Sequence, residues 1–424
     1  VRYKPLFCKQ IIFKTMHKNV ILAFLLFSYL GAAAQSKTQS SWQQQVDYMV
    51  DVKLDDVNHT LEGEIAIAYT NNSPDEISFM YIHLWPNAYK NNTTAFAEQM
   101  EENGDMDFYY SKEKDRGFIE GLDFKSGGVQ LKVDATENID VVKVLLAKPI
   151  STGEQVTLFT PFRVKLPKVF SRLGHENQDY FVTQWYPKPA VYDVNGWNPM
   201  PYLNMGEFYS EFGTFNVKIT LPKKYKIMAT GDLVGGADET AWLDSLSKEG
   251  EALNRLSSKD FKKAVKQIQK EIKEKNKQEK KVGSKKQKYK TLHFKQENVH
   301  DFAWFADPNW IVQKGNLVLE DSGREVTLWS MYLPKNAKVW KSSIQYLHDS
   351  GYWYSMFYGD YPYNHITAVD GGMSAGGGME YPNITVISKS GSEDLLELVI
   401  MHEVGHNWFY GILGNNERNH TWLD

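Results

Sequence analysis

The chain has 424 residues, a formal net charge of −4, a single cysteine, and 42% apolar and 14% aromatic residues. That length exceeds what one hydrophobic core organises, so two domains are expected. A lone cysteine excludes an intrachain disulfide framework. It sits at position 8, outside the segment read below as the mature chain, which therefore has no thiolate ligand for a metal.

The first element in chain order is a targeting segment. Met16, His17 and Lys18 form a short basic start, residues 20–30 an apolar run, and Ala32, Ala33 and Ala34 a small-residue cleavage site before Gln35. The apolar run is too short to span a bilayer. Residues 16–34 read as a signal peptide cleaved near Ala34 and Gln35, with export to a periplasm or beyond. Residues 1–15 read as a non-native upstream stretch.

Strand signals follow. Val46, Tyr48, Val50, Val52 and Leu54 alternate with polar residues, and Leu61, Ile65, Ile67 and Tyr69 resume the pattern. Asp55 and Asp56, then Asn71, Asn72, Ser73 and Pro74, supply the turns between runs. Further strands are predicted at 141–146, 155–159 and 215–221. This spacing predicts an all-β sandwich or saddle-shaped sheet over residues 42–300. Trp185, Tyr186, Trp197, Tyr202, Phe208 and Tyr209 cluster in its middle and are read as packing residues.

Residues 259–290 carry 14 lysines against four acids, leaving 34 basic and 48 acidic groups in the rest of the chain. Phe261, Ala264, Val265, Ile268 and Ile272 recur at helical spacing, so this insertion (246–290) is predicted to begin as an amphipathic helix. Past Lys275 the apolar stripe fades and disorder is expected. Two readings stand side by side: a solvated surface insertion, which the balance favours, and a weak contact with an anionic membrane or an acidic partner. Nucleic acid is excluded as a partner, because the segment has no arginine and no interleaved aromatics.

Helical signals concentrate after residue 335. A glycine run at 371–382, GGMSAGGGMEYP, precedes the apolar Ile384, Thr385, Val386 and Ile387. Glycines just before a strand let a second backbone approach and pair along its edge. Glu380, at the end of that run, could hold the ammonium of a peptide's first residue. A helix then begins at Ser392, a good N-cap, with Glu393 and Asp394 where the helix dipole favours acids. Leu395, Leu398, Val399, His402, His406 and Phe409 share one stripe, which is expected to face the core. The helix contains His402-Glu403-Val404-Gly405-His406. Two histidines four apart project from one helix face and reach a single metal ion, with a glutamate beside them as general base. Zinc lowers the pKa of its water to about 7, within reach of that glutamate.

These two segments together resemble the signatures of the aminopeptidase N family of gluzincin zinc metallopeptidases: a GxMEN-type exopeptidase strand, and HExxH followed 18 residues on by a glutamate. Gly377-Gly378-Met379-Glu380-Tyr381 matches the first, with Tyr381 where the family pattern has asparagine, and His402, Glu403 and His406 match the second. Residues 181–188, FVTQWYPK, are similar to the family region whose glutamine helps to bind the substrate's amino end. Residues 48–87, 207–213 and 299–304 are also family-like.

The resemblance implies an α+β multidomain chain. In it, the N-terminal all-β saddle or sandwich is followed, over residues 301–424, by the start of a thermolysin-like α/β catalytic domain. It implies one zinc ion on His402 and His406, with the third ligand immediately after Asp424, and hence a C-terminally truncated piece of an exported, bacterial-type enzyme. Glu403 would be the general base, and Glu380, Gln184, Gly377, Gly378 and Met379 would bind a peptide with a free N-terminus. The alternatives are a zinc endopeptidase or other zinc hydrolase of the same fold, and an inactive pseudo-peptidase acting as a binding protein. The sequence leaves the oligomeric state open.

Overall fold

The alternation at the start of the chain builds a long antiparallel pair, β1 (Gln45–Asp55) with β2 (Thr60–Thr70), in which every second side chain of β1 is buried. The computed structural model describes residues 42–282, 288–372 and 376–423. The targeting segment, the upstream stretch with Cys8, residues 283–287 and 373–375, and Asp424 lie outside the described residues. Among the described residues no helix is long and apolar enough to cross a membrane.

The fold is α+β, with an all-β part preceding an α/β part. A nine-stranded sheet contains β1, β2, β3 (Gln155–Lys165) and, further along the chain, Gly213–Pro222. The Gly213–Pro222 strand runs parallel to β1, and the other long pairings are antiparallel. The strands predicted at 46–54, 61–69, 141–146, 155–159 and 215–221 all form, each extended by a few residues. A four-stranded sheet packs beside it and includes β4 (Asp179–Val182). β5 (Gly213–Pro222), β6 (Lys226–Ala229), β7 (Tyr289–Val299) and β8 (Trp304–Asp307) follow, β8 pairing with β4 and β6, and a further four-stranded sheet contains Ile77–His83 and Val141–Ile150. Trp185, Tyr186, Tyr202 and Phe208 are buried in its core, in agreement with the packing role read from the sequence.

The lysine-rich insertion differs from expectation. It is two helices, α1 (Ala237–Asn254) and α2 (Ser258–Val282), and α2 continues past Lys275, where disorder was expected. The predicted apolar stripe is real: Phe261 is buried, and Ala264, Val265 and Ile268 pack against the core. That anchorage of its first turns carries the helix beyond the point where its own stripe fades.

The α/β part is a five-stranded sheet in the order β9 (Ile311–Val318), β10 (Glu325–Tyr332), β11 (His365–Asp370), β13 (Ile384–Ile387), β12 (Gly378–Tyr381). β10, β11 and β13 are parallel, and β12 folds back antiparallel as the edge strand. α3 (Ser343–Tyr358) and α4 (Glu393–Gly405) pack against each other, and α4 also lies on the β12–β13 hairpin.

Three buried carboxyls meet where the two parts join. Asp179 and Asp307 face each other one step beyond the Tyr180–Ala306 pair of β4 and β8, and Asp370 ends β11. Burial, then mutual repulsion, raises Asp179 well above the usual carboxylate range; burial also lifts Asp307 and Asp370 to about 6. Asp370 is held by Leu333 N and Asn336 Nδ2, whereas Asp179 Oδ1 has no hydrogen-bond partner among the described residues. A carboxyl whose pKa is raised on folding binds its proton more tightly in the native state, so stability falls as pH rises from about 4 through about 6. Asp179→Asn is therefore expected to raise Tm by a few degrees at pH 7.5, on the order of 1–3 kcal/mol. The gain should vanish below about pH 4, where the carboxyl is protonated in both states. A calorimetric pH series checks this; an unchanged or lower Tm at pH 7.5 would count against repulsion in the cluster.

Candidate metal centre and substrate edge

α4 begins as its sequence dictates. Ser392 Oγ accepts from Leu395 N at 3.2 Å, and Glu393 and Asp394 occupy the first turn. The helix ends at Gly405, with His406 at its C-cap. The buried face is not the stripe expected from spacing. Leu396, Ile400, Glu403 and Val404 point inward, whereas Leu395, Leu398 and His402 are exposed, and Phe409 lies beyond the helix. The hairpin β12–β13 and α3 approach α4 from the Glu403 side, and that approach decides which face is covered.

The result suits chemistry better than the expected face would. Glu403 is buried, His406 is buried at the helix end, and His402 stays accessible. The two imidazole Nε2 atoms lie 3.2 Å apart. Zn–N bonds of about 2.0–2.1 Å in a tetrahedral shell put two nitrogens about 3.3–3.4 Å apart, so the pair is pre-set for one ion.

A second cluster overlaps this pair at His406 and does not include His402 among the described residues. Glu380, His406 and Glu417 each offer a ligand atom within 4.8 Å of the others. Glu417 was not singled out from the sequence, where the third ligand was expected just past Asp424. It is 1% exposed, and its chain neighbours tie it down. Arg418 donates to Glu207 O at 2.9 Å and Pro201 O at 3.2 Å, and Asn416 Nδ2 donates to Asn198 Oδ1 at 3.4 Å. No regular spacing links Glu417 to HEVGH, so only the fold brings it in.

The substrate-side residues converge on edge strand β12. Glu380 is half-buried there, paired in register with Thr385. Met379 is buried, and its Sδ accepts from Arg172 Nε at 3.0 Å; Arg172 also donates to Glu207 Oε1 at 2.8 Å. Gly377 and Gly378 follow Gly376 at the described end of the glycine run. A Cβ on Gly378 would collide with Glu403 Oε1, so this glycine is what lets the edge strand and the glutamate touch. Gly405 likewise admits the Tyr354 hydroxyl, 2.7 Å from where a Cβ would stand.

The β12–β13 turn is fastened to the histidine helix. Asn407 Oδ1, one residue after His406, accepts from Asn383 N at 3.0 Å, and its Nδ2 donates to Val404 O at 3.1 Å. Gln184 comes from the all-β part and is buried with φ 47°, a costly backbone for a residue other than glycine. Its Oε1 accepts from Tyr381 Oη at 3.0 Å and its Nε2 donates to Asp301 Oδ2 at 3.4 Å. Asp301 also accepts from Tyr186 Oη at 2.7 Å and pairs with Lys188 at 3.1 Å. Burial alone would raise the Asp301 carboxyl, but Lys188 and Tyr186 hold it below its ordinary value.

Tyr410 is a second residue that spacing did not flag. It is buried at φ 81°. Burial first, then the carboxylates Glu417, Asp301 and Glu380, raise its phenol well above the usual range, so it stays protonated beside them.

No family model and no curated protein matches the chain. Solved structures of zinc metallopeptidases are similar. The M1 zinc metallopeptidase from Deinococcus radiodurans shares 13% identity at a TM-score of 0.47 over 88% of this chain. A mutant of it bound to the substrate Tyr-Ser-Ala shares 12% at 0.48, over 87% of this chain. A two-domain M1 zinc metallopeptidase mutant bound to L-arginine shares 13% at 0.47. This chain spans 65% of the length of each.

The donor set fits a zinc ion, and the fit is testable without any reaction. One zinc per chain is expected by competition titration with a chromophoric chelator. His406→Ala should abolish binding, and Glu417→Ala should weaken it at least tenfold, about 1.4 kcal/mol. Full affinity in Glu417→Ala would remove that carboxylate from the ligand set.

Proposed function

We propose that this protein is a zinc-dependent aminopeptidase, removing the first residue from peptides with a free N-terminus. The reading rests on one arrangement. The imidazole pair of His402 and His406 and the carboxylate of Glu403 lie on a helix whose Glu403 touches the edge strand carrying Glu380.

A zinc ion held by His402, His406 and the in-chain carboxylate Glu417 supplies Lewis acidity and a water that ionises near neutral pH. Glu403, buried against Gly378, takes the proton of the attacking water and returns it to the leaving amine. β12 ends the order of its sheet, so a peptide can add alongside it in extended form. Glu380 then meets the substrate's α-ammonium, and Gln184 offers the second lone pair of its amide oxygen, oriented by Tyr381. An internal peptide bond brings no cation to these groups, which makes the site exopeptidic. Export through residues 16–34 belongs to the same proposal.

Glu403→Gln should keep zinc and lose about 10³-fold or more in kcat. Gly378→Ala should also keep zinc, but displace Glu403 and lower kcat by about 10–100-fold. Loss of zinc in either variant would contradict these assignments.

Glu380→Ala is expected to raise KM for free-amine peptides while zinc content stays at one. N-acetylated peptides should resist cleavage by the unmodified protein. Equal cleavage of free and acetylated peptides would favour the endopeptidase reading. No turnover by the fully zinc-loaded chain would favour a binding protein.

A further inference from the structure

The zinc site makes no use of α2, whose charge is distributed in an ordered way. At 3.6 residues per turn each residue advances about 100° round the helix. On that wheel Lys259, Lys262, Lys263 and Lys266, continued by Lys270, Lys273 and Lys277, fall within an arc of about 100°. All seven are exposed. The arc lies opposite the apolar stripe of Phe261, Val265 and Ile268, which is fixed against the core. Asp260, Glu271 and Glu274 fall outside the arc on one flank, about 70–130° round from its centre. The ridge runs about 27 Å along the helix at 1.5 Å per residue.

A merely solvated helix face mixes charge signs, because like charges three and four residues apart destabilise a helix. Here Lys259–Lys263, Lys262–Lys266, Lys266–Lys270 and Lys273–Lys277 are all four apart, within one unbroken helix. Among the described residues one ion pair involves the ridge, Lys270 with Glu274 at 3.9 Å. The rest of the chain is strongly acidic, with 34 basic and 48 acidic groups outside residues 259–290. The seven lysines therefore form a straight cationic edge, while Lys275 is exposed on another side of the same helix.

We propose that this lysine ridge is a docking surface for an anionic lipid bilayer, on which it orients the protein. The partner's class follows from the chemistry. Lysine ammoniums are point charges suited to a fluid array of anionic headgroups, whereas recognition of a polymer's phosphates or bases draws on arginine forks and aromatic stacking. The residues of α2 include no arginine and one aromatic, Phe261, which is buried. With the apolar stripe already occupied by the core, the contact is electrostatic and superficial, not insertion. The acidic remainder is repelled by the same surface, so a single orientation results. This inference stands independently of the proposed peptidase activity.

The test is co-sedimentation of the purified chain with vesicles. About 30% phosphatidylserine in phosphatidylcholine is compared with phosphatidylcholine alone. Binding to the anionic vesicles only is expected at about 0.1 M salt, with release at about 0.5 M. Each lysine near an anionic leaflet contributes about fivefold to partitioning. Changing Lys262, Lys263, Lys266, Lys270 and Lys273 together to Gln should therefore reduce binding at least tenfold. Glutamine matches lysine in helix propensity, so far-UV circular dichroism and zinc stoichiometry should not change. A Lys266→Gln, Lys270→Gln double variant should fall between. Equal binding to neutral vesicles, or an unaffected five-residue variant, would overturn the proposal. So would retention on immobilised polyglutamate or single-stranded DNA without any vesicle binding.

Discussion

Like charges converge at the end of α4. Glu380 and Glu417 bring carboxylate oxygens within 4.8 Å of each other and of His406, and Glu403 is buried on the same helix. Carboxylates that close repel, and their burial costs several kcal/mol per charge unless a cation or protons stand among them. Much of the surrounding structure holds these groups together against that repulsion. Asn407 clamps the helix end to the β12–β13 turn, and Arg418 pins the segment carrying Glu417. Arg172 bridges Met379 and Glu207, so the two arms of the site share one anchor. Under the proposed function, a cation bound beside His406 would offset that repulsion and make the carboxylates partners.

The all-β part does more than flank this site. Asp301 and Lys188 form a buried ion pair whose remaining valences go to Tyr186, Gln184 and Ser210. Such a pair contributes little net stability, but removing one member leaves a buried charge unmatched. Its structural role is to orient Gln184, which in turn meets Tyr381 one residue after Glu380. The tyrosine that departs from the GxMEN pattern is therefore, with Met379, one of the residues that join the two parts of the chain at this edge.

Charge is handled differently at three places. At the metal centre, carboxylates are gathered for a cation. At the junction, Asp179, Asp307 and Asp370 are buried with raised pKa values, a local cost at neutral pH. On α2, lysines are gathered on the outer face and left in solvent. Burial decides the difference: the first two groups exchange solvation for protein partners, and the third keeps its water and its reach toward other surfaces.

Much of this was legible from local pattern. Alternation marked the long strands, Ser392 marked the start of α4, and the pair of histidines four apart marked the metal site, because each depends only on the geometry of successive residues. The face of α4 was not legible. Apolar side chains occur on more than one side of it, and the packing of α3 and the hairpin selected Leu396, Ile400 and Val404 over Leu395 and Leu398. Nor was the full length of α2, since tertiary anchorage outlasts a fading stripe. The sequence by itself determined most of the elements and the pairing of two imidazoles four residues apart on one helix. Only the tertiary structure decided that Glu417 comes within 4.8 Å of His406 and Glu380, that Gly378 must lack a side chain for Glu403, and that Tyr410 stays protonated among the carboxylates. These are contacts between segments far apart in the chain, and the spacing of residues along it carries no record of them.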